Sequence, residues 1–131
     1  MILDTDGSKP IYVQIAEWIE TEILKGNLKQ DEKVYSQYSL AEMFTINPAT
    51  AAKGLNLLSD ENILYNKRGL GKFVTGEARE LIMDKRKNQT LKGLLLEAAI
   101  EAKQLNVSDA ELIQMLQGIM TNLKGMRSER D

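Results

Sequence analysis

Ser36-Gln37-Tyr38-Ser39-Leu40-Ala41-Glu42-Met43-Phe44-Thr45-Ile46-Asn47-Pro48-Ala49-Thr50-Ala51-Ala52-Lys53-Gly54-Leu55-Asn56-Leu57-Leu58 is the stretch that decides the fold. It opens on a serine suited to cap a helix and sets Leu40, Ala41 and Phe44 on one side, which predicts a two-turn helix. Thr45-Ile46 leaves room only for a tight turn. Asn47-Pro48 then begins a second helix, expected to reach about Glu61, with asparagine as its cap and proline in its first turn, where the missing N–H has no partner to lose. Two short helices joined this tightly make a helix-turn-helix, whose second member can offer its N-terminal end to a major groove. Its inner face needs apolar residues at Ala51, Leu55 and Leu58, and its outer face shows Ala49, Thr50, Lys53 and Asn56, which are small, neutral or basic. Gly54 in mid-helix costs about 1 kcal/mol relative to alanine, which points to a close backbone approach there.

On the N-terminal side, Tyr12, Ile15, Ala16, Ile19 and Ile23 recur at helical spacing, so Pro10 to Lys25 reads as a first helix. Ser8 is its expected cap, Gly26-Asn27 its stop, and Trp18 and Leu24 lie at the edges of its apolar stripe. On the C-terminal side, Ile63 to Thr75 reads as two strands around a turn. Ile63, Tyr65 and Phe73 are expected to cover the helical core, Gly69 and Gly71 permit the turn, and Lys67, Arg68 and Lys72 make its tip basic. Residues 9–76 are therefore expected to form a winged helix-turn-helix.

From Glu77 the composition shifts to long helix formers, with Gly93 the one breaker before Leu105. Leu91, Leu94, Leu95, Ala98, Ala102 and Leu105 form an apolar seam; a continuous helix over this stretch would be about 43 Å long. Asn106 ends it, Ser108-Asp109-Ala110-Glu111 is a capping box, and Leu112, Ile113, Leu116, Ile119, Met120 and Leu123 define a last amphipathic helix. Residues 77–123 are expected to be a helical dimerisation region and residues 124–131 a frayed tail. The fold class is mainly α with one small β-hairpin.

With 131 residues, any core is compact and a large enzyme is excluded. Cys and His are both absent, which removes disulfides, thiolate nucleophiles, zinc fingers and any triad with an imidazole base. No catalytic residue, metal or cofactor is expected. No apolar run approaches the roughly 18 residues of a membrane helix, and the N-terminus has no basic region followed by an apolar one, so the cytoplasm is the default location. A net charge of −2 argues weakly against a nucleic-acid partner, but residues 45–59 and 67–76 contain no acid, and Lys53, Lys67, Arg68 and Lys72 fall inside those windows.

Pro10-Ile11-Tyr12-x-Gln14-Ile15, Ser36-x-x-x-Leu40-Ala41, Asn47-Pro48-x-Thr50 and Arg68-Gly69-x-Gly71-x-Phe73-Val74, in this order and at these separations, resemble the GntR family of bacterial regulators over residues 9–76. The Asn-Pro start and the short two-helix C-terminal part are similar to its YtrA subfamily. The resemblance implies a homodimer paired through the C-terminal helices that binds a double-stranded DNA operator and represses its own operon, often one for an ABC transporter. The chain departs from the family in one region. The usual Pro-Ser-x-Arg is Tyr35-Ser36-Gln37-Tyr38 here, and Pro48 and Ala52 stand where many members place arginines that read guanine.

Two copies would then hold their second helices in successive major grooves, about 34 Å apart. Asn47, Ala49, Thr50 and Asn56 are expected to face base edges, with asparagine suited to adenine and the small apolar groups to thymine. Ser36, Gln37, Tyr38 and Lys53 are expected on phosphates, joined by Lys67 and Lys72, while Arg68 and Gly69 enter a minor groove. An A·T-rich, pseudo-palindromic operator follows. The alternative is a winged helix used as a protein-interaction module without specific DNA binding. The C-terminal part leaves little for a pocket of about 300 Å³, so an unidentified small-molecule effector would lodge between subunits, near Met83, Met115 and Met120.

Overall fold

Helix α1 (Ile11–Leu24) buries Ile15, Ala16, Ile19 and Ile23 along one stripe, as their spacing requires. Its cap is Pro10, whose carbonyl accepts from Val13 and Gln14 N–H; Ser8, the expected cap, lies outside the helix. Gly26, at φ +84°, turns the chain out of the helix. The structure, a computed structural model, describes residues 3–4 and 8–130 and divides into two compact units, residues 1–85 and 86–131.

In the first unit, α2 (Gln37–Phe44) starts where Ser36 Oγ accepts from Ser39 N–H at 3.1 Å, and Thr45 ends it in the left-handed region. Helix α3 (Pro48–Asp60) follows at once, capped by Asn47, whose Oδ1 accepts from Ala49 N–H at 2.7 Å. Ala51, Leu55 and Leu58 are buried, as their spacing predicts. Gly54 is packed against α1: a Cβ there would sit 2.8 Å from the Tyr12 carbonyl oxygen, so the expected close approach is between these two helices. Burying a side chain such as Leu58 or Ile19 stabilises the fold by roughly 1.5–3 kcal/mol each.

Strands β1 (Leu64–Lys67) and β2 (Gly71–Val74) pair antiparallel with Leu64 opposite Val74 and Tyr65 opposite Phe73. The register corrects one expectation. Leu64 and Val74 enter the core, whereas Tyr65 and Phe73 stack on each other with ring centroids 5.8 Å apart and lie outside the buried cluster. Side chains alternate across a strand, so one pair excludes the other from the core. Residues 31–34 run along the free edge of β2: Val34 N–H donates to the Lys72 carbonyl, and Lys33 bridges to Phe73.

Helix α4 (Ala78–Lys85) belongs to the same unit. Ala78 and Ile82 are buried with the residues of α1, α3 and the hairpin, so the first unit continues past residue 76, where the sequence reading ended it, to Lys85.

The second unit starts with a π-helical stretch, Arg86–Leu91, with no buried residue, followed by α5 (Lys92–Gln104). Asn106, at φ +58°, closes α5. Helix α6 (Asp109–Arg130) opens on Ser108, whose Oγ accepts from Glu111 N–H at 3.1 Å. It runs on through residues 124–130, where a frayed tail was expected, and Asp131 lies outside the described residues. Within this unit Ala102 is the one buried side chain among the described residues. No helix among the described residues is long and apolar enough to cross a membrane.

Candidate nucleic-acid interface

With Ala51, Leu55 and Leu58 turned inward, α3 directs the side chains between them outward. Ala49, Lys53 and Asn56 are exposed and Thr50 is half-buried. No acid stands in the first turn of α3. Lys53 Nζ lies 4.2 Å from the centre of the Tyr12 ring, a cation–π contact that steadies the ammonium without neutralising it. Asn56 keeps both amide atoms clear of any hydrogen bond among the described residues.

Asn47 is different. Its side-chain oxygen is taken by Ala49 N–H, so it serves as the cap of α3. Pairing with both groups on an adenine edge would need that oxygen. The structure thus assigns Asn47 to starting the helix, and leaves Ala49, Thr50 and Asn56 as the outward groups that base edges could meet.

The wing turn is tight. Leu70 N–H donates to the Lys67 carbonyl at 2.9 Å, with Gly69 at φ +78° and Gly71 at φ +114°, conformations that favour glycine. Arg68 and Gly69 are exposed at its tip. Lys67 Nζ lies 4.6 Å from the centre of the Phe73 ring and 5.9 Å from that of Tyr65, so the stacked pair carries a cation on the outer face of the hairpin. The Tyr65 hydroxyl donates to Asp31 at 2.8 Å; that hydrogen bond, then desolvation and the carboxylate charge, push its pKa above the ordinary 10.0.

Lys72 does not point away as expected. Its Nζ donates to Ser59 Oγ at 2.9 Å and to Asn66 Oδ1 at 2.7 Å, on the strand face that looks toward α3. It ties the wing to the end of α3 instead of standing as a free cation. Lys33, which the sequence reading did not single out, is exposed beside the wing, with its Cε against Gly71. A hollow of about 220 Å³ brings Ser36, Gln37 and Tyr38 at the start of α2 together with Lys33, Leu70 and Gly71 of the wing. The residues that open α2 and the basic Lys33 therefore line one space, a combination suited to an anionic phosphate.

In the second unit the proposed seam is exposed along its length. Leu91, Leu94, Leu95 and Leu105 of the first helical stretch and Ile113, Leu116, Ile119, Met120 and Leu123 of α6 are all open to solvent, and Ala98 with them. Leu112 is half-buried and Ala102 buried. Of the three methionines considered for an effector, Met115 and Met120 share this apolar surface, whereas Met83 lies on α4 of the first unit. No group of acidic side chains that could hold a metal ion occurs among the described residues.

No family model matches the chain. It is 29% identical over 123 residues to the HTH-type transcriptional repressor YtrA of Bacillus subtilis, which covers 94% of each chain. Its fold is similar to that of a GntR family transcriptional regulator from Listeria monocytogenes, at 30% identity and a TM-score of 0.68 over 86% of this chain and 97% of that one. It also resembles the DNA-binding domain of AraR, solved in complex with operator ORX1, at 26% identity and a TM-score of 0.53 over 57% of this chain and 95% of that domain.

Proposed function

The chain belongs to the GntR family of transcriptional regulators, and from that premise we propose that it is a sequence-specific DNA-binding repressor that works as a homodimer on a pseudo-palindromic, A·T-rich operator of its own operon. One observation carries the reading. The acid-free outer face of α3 presents Ala49, Thr50, Lys53 and Asn56 beside a basic wing, on a helix whose opposite face is the core. The α3 helix reads base edges in the major groove, with Ala49 and the Thr50 methyl against thymine and Asn56 against adenine. Lys53, Lys67 and Lys33 neutralise phosphates, and Ser36, Gln37 and Tyr38 add contacts at the start of α2. Arg68 and Gly69 at the wing tip enter the minor groove, where a narrow A·T tract attracts the cation.

Pairing is supported by the second unit, whose apolar residues have no core of their own to enter. A second copy supplies that core through the α5 and α6 seams and spaces the two α3 helices one DNA turn apart. The operon of an ABC transporter is the target that this reading favours.

A gel shift with the DNA upstream of the gene tests the function directly. With three lysines per subunit on phosphates, log affinity against log salt should slope about −5. A slope near zero would contradict DNA binding. A site dominated by invariant guanines would contradict the A·T-rich assignment.

A further inference from the structure

Lys72 is half-buried on the strand face that looks toward α3, and among the described residues no carboxylate pairs with it. Its ammonium donates to two neutral oxygens, Ser59 Oγ at 2.9 Å and Asn66 Oδ1 at 2.7 Å. Lys85 of the same unit is held differently. Its Nζ meets the carboxylate of the fully buried Glu20 and donates to both oxygens of Glu61, at 3.0 and 3.2 Å. Burial alone would lower the Lys85 pKa, but the hydrogen bonds to Glu20 and Glu61 outweigh it and hold the group above its ordinary 10.5. Lys85 therefore serves an ion pair of the interior. Lys72 has no such partner, so its place needs another reason.

The strand register shows where the Lys72 link acts. Leu64 and Val74 fix the base of the hairpin in the core, and Asn66 faces Lys72 two residues further along, next to the pair that closes the turn, Lys67 with Gly71. At about 3.3 Å per residue, the wing is caught roughly 7 Å beyond its base. On the other side the ammonium meets the last turn of α3, which has no basic residue of its own and where a cation opposes the helix dipole. The Lys72 carbonyl meanwhile accepts from Val34 N–H at 2.9 Å, two residues before Ser36 caps α2. One residue thus joins the wing to α3 through its side chain and to the lead into α2 through its backbone. A two-stranded hairpin is only marginally stable by itself, so such links decide where its tip stands.

We propose that Lys72 is a positioning residue for minor-groove reading: by bonding Ser59 it holds the wing at one angle to α3, so that Arg68 meets the minor groove at a fixed offset from the base pairs that α3 reads. The inference rests on the DNA-binding function proposed above. It lies wholly within one winged unit, so it holds for a single half-site. Ser59 is the link to cut. Ser59→Ala removes the hydroxyl, leaves Lys72 its charge and its bond to Asn66, and touches neither Arg68 nor the residues of α3 assigned to base edges.

The test uses a one-half-site duplex taken from DNA selected by the full wild-type chain, with each flanking A·T pair replaced in turn by G·C or by inosine·cytosine. Inosine lacks the amino group that G·C adds to the minor groove, so a flank read there rejects G·C and accepts inosine·cytosine. Ser59→Ala should reduce this rejection by about five-fold, the order of one hydrogen bond's net contribution. Discrimination at the pairs read by α3, the salt slope and the melting temperature should stay at their wild-type values. Lys72→Met should give the same loss, and Ser59→Thr, which keeps the hydroxyl, should retain the rejection. In an Arg68→Ala background Ser59→Ala should have no further effect, because it acts through that side chain. If Ser59→Ala leaves the rejection intact, or its loss adds to that of Arg68→Ala, the proposal is overturned. It is equally overturned if Lys72→Met weakens all sequences alike and lowers the magnitude of the salt slope, which would make Lys72 a phosphate contact. If the wild-type chain shows no rejection of G·C that Arg68→Ala removes, wing reading itself is wrong and the inference falls with it.

Discussion

Ile19, Leu40, Leu58 and Ile82 of the first unit are sealed from solvent, whereas Leu94, Leu96, Leu105 and Ile119 of the second are each more than half exposed. Both units are helical and both have apolar stripes at helical spacing. In the first, α1, α3, α4 and the hairpin cover one another's stripes, so tertiary packing inside one chain stabilises it. In the second, the stripes of α5 and α6 are left open. Apolar surface of that extent on a single chain marks an association site. One unit thus closes its own core, while the other leaves apolar stripes open that the proposed pairing would cover.

The largest expected effect comes from breaking the open stripe. Leu116→Asp should turn the dimer into a monomer in sedimentation velocity and lower affinity for a two-half-site duplex by about 100-fold or more, since the second contact then loses its effective concentration. Binding to a single half-site should be unaffected. Next in size, Leu58→Ala in the first unit should cost about 2–5 kcal/mol in denaturant unfolding. That loss should be the same at any protein concentration, whereas the cost of Leu94→Ala in the second unit should shrink on dilution, because under the proposed pairing it acts by weakening association, whose contribution to stability vanishes as the copies separate.

A smaller effect separates contact from reading on the presented surface. Lys53→Ala should weaken all DNA sequences alike and reduce the magnitude of the salt slope by about 2 for the dimer. Thr50→Val should leave the slope alone and change the preferred base.

The smallest effect concerns pH. The folded Lys85 pKa lies above its ordinary 10.5, so its contribution to stability is complete below pH 10.5 and disappears as pH rises through the higher folded value. The Tyr65 phenol, raised above 10.0, acts in the same direction and a neighbouring window. Unfolding midpoints of Lys85→Arg should therefore decline less at alkaline pH than those of the wild type, and a Tyr65→Phe background should isolate the lysine. Parallel alkaline curves for the two proteins would show that the ion pair does not carry this loss.

Much of the first unit was legible in the sequence because its signals are local. Ser36 and Asn47 cap the helices they precede, Ala51, Leu55 and Leu58 follow one helical face, and Gly54 marked the approach of α1. What escaped depends on partners far along the chain. Leu64-Tyr65 and Phe73-Val74 are adjacent apolar pairs, so alternation alone could not say which member faced inward, and the core took Leu64 and Val74. Lys33 gained its position from an edge pairing with β2 that no local pattern announces. The inward turn of Lys72 depends on Ser59 and Asn66. The burial of Glu20 depends on Lys85, far along the chain. Ala78 and Ile82 were too few to reveal that α4 belongs with the winged unit.

The central claim is that the self-contained unit reads DNA and the open unit pairs it. Selection from random DNA with the full chain, followed by footprinting of the recovered duplexes, tests both halves together. The account predicts two A·T-rich half-sites related by a two-fold axis, with centres about 10 base pairs apart and two chains bound per duplex. Recovery of no enriched sequence, or of a single asymmetric site occupied by one chain, would contradict it.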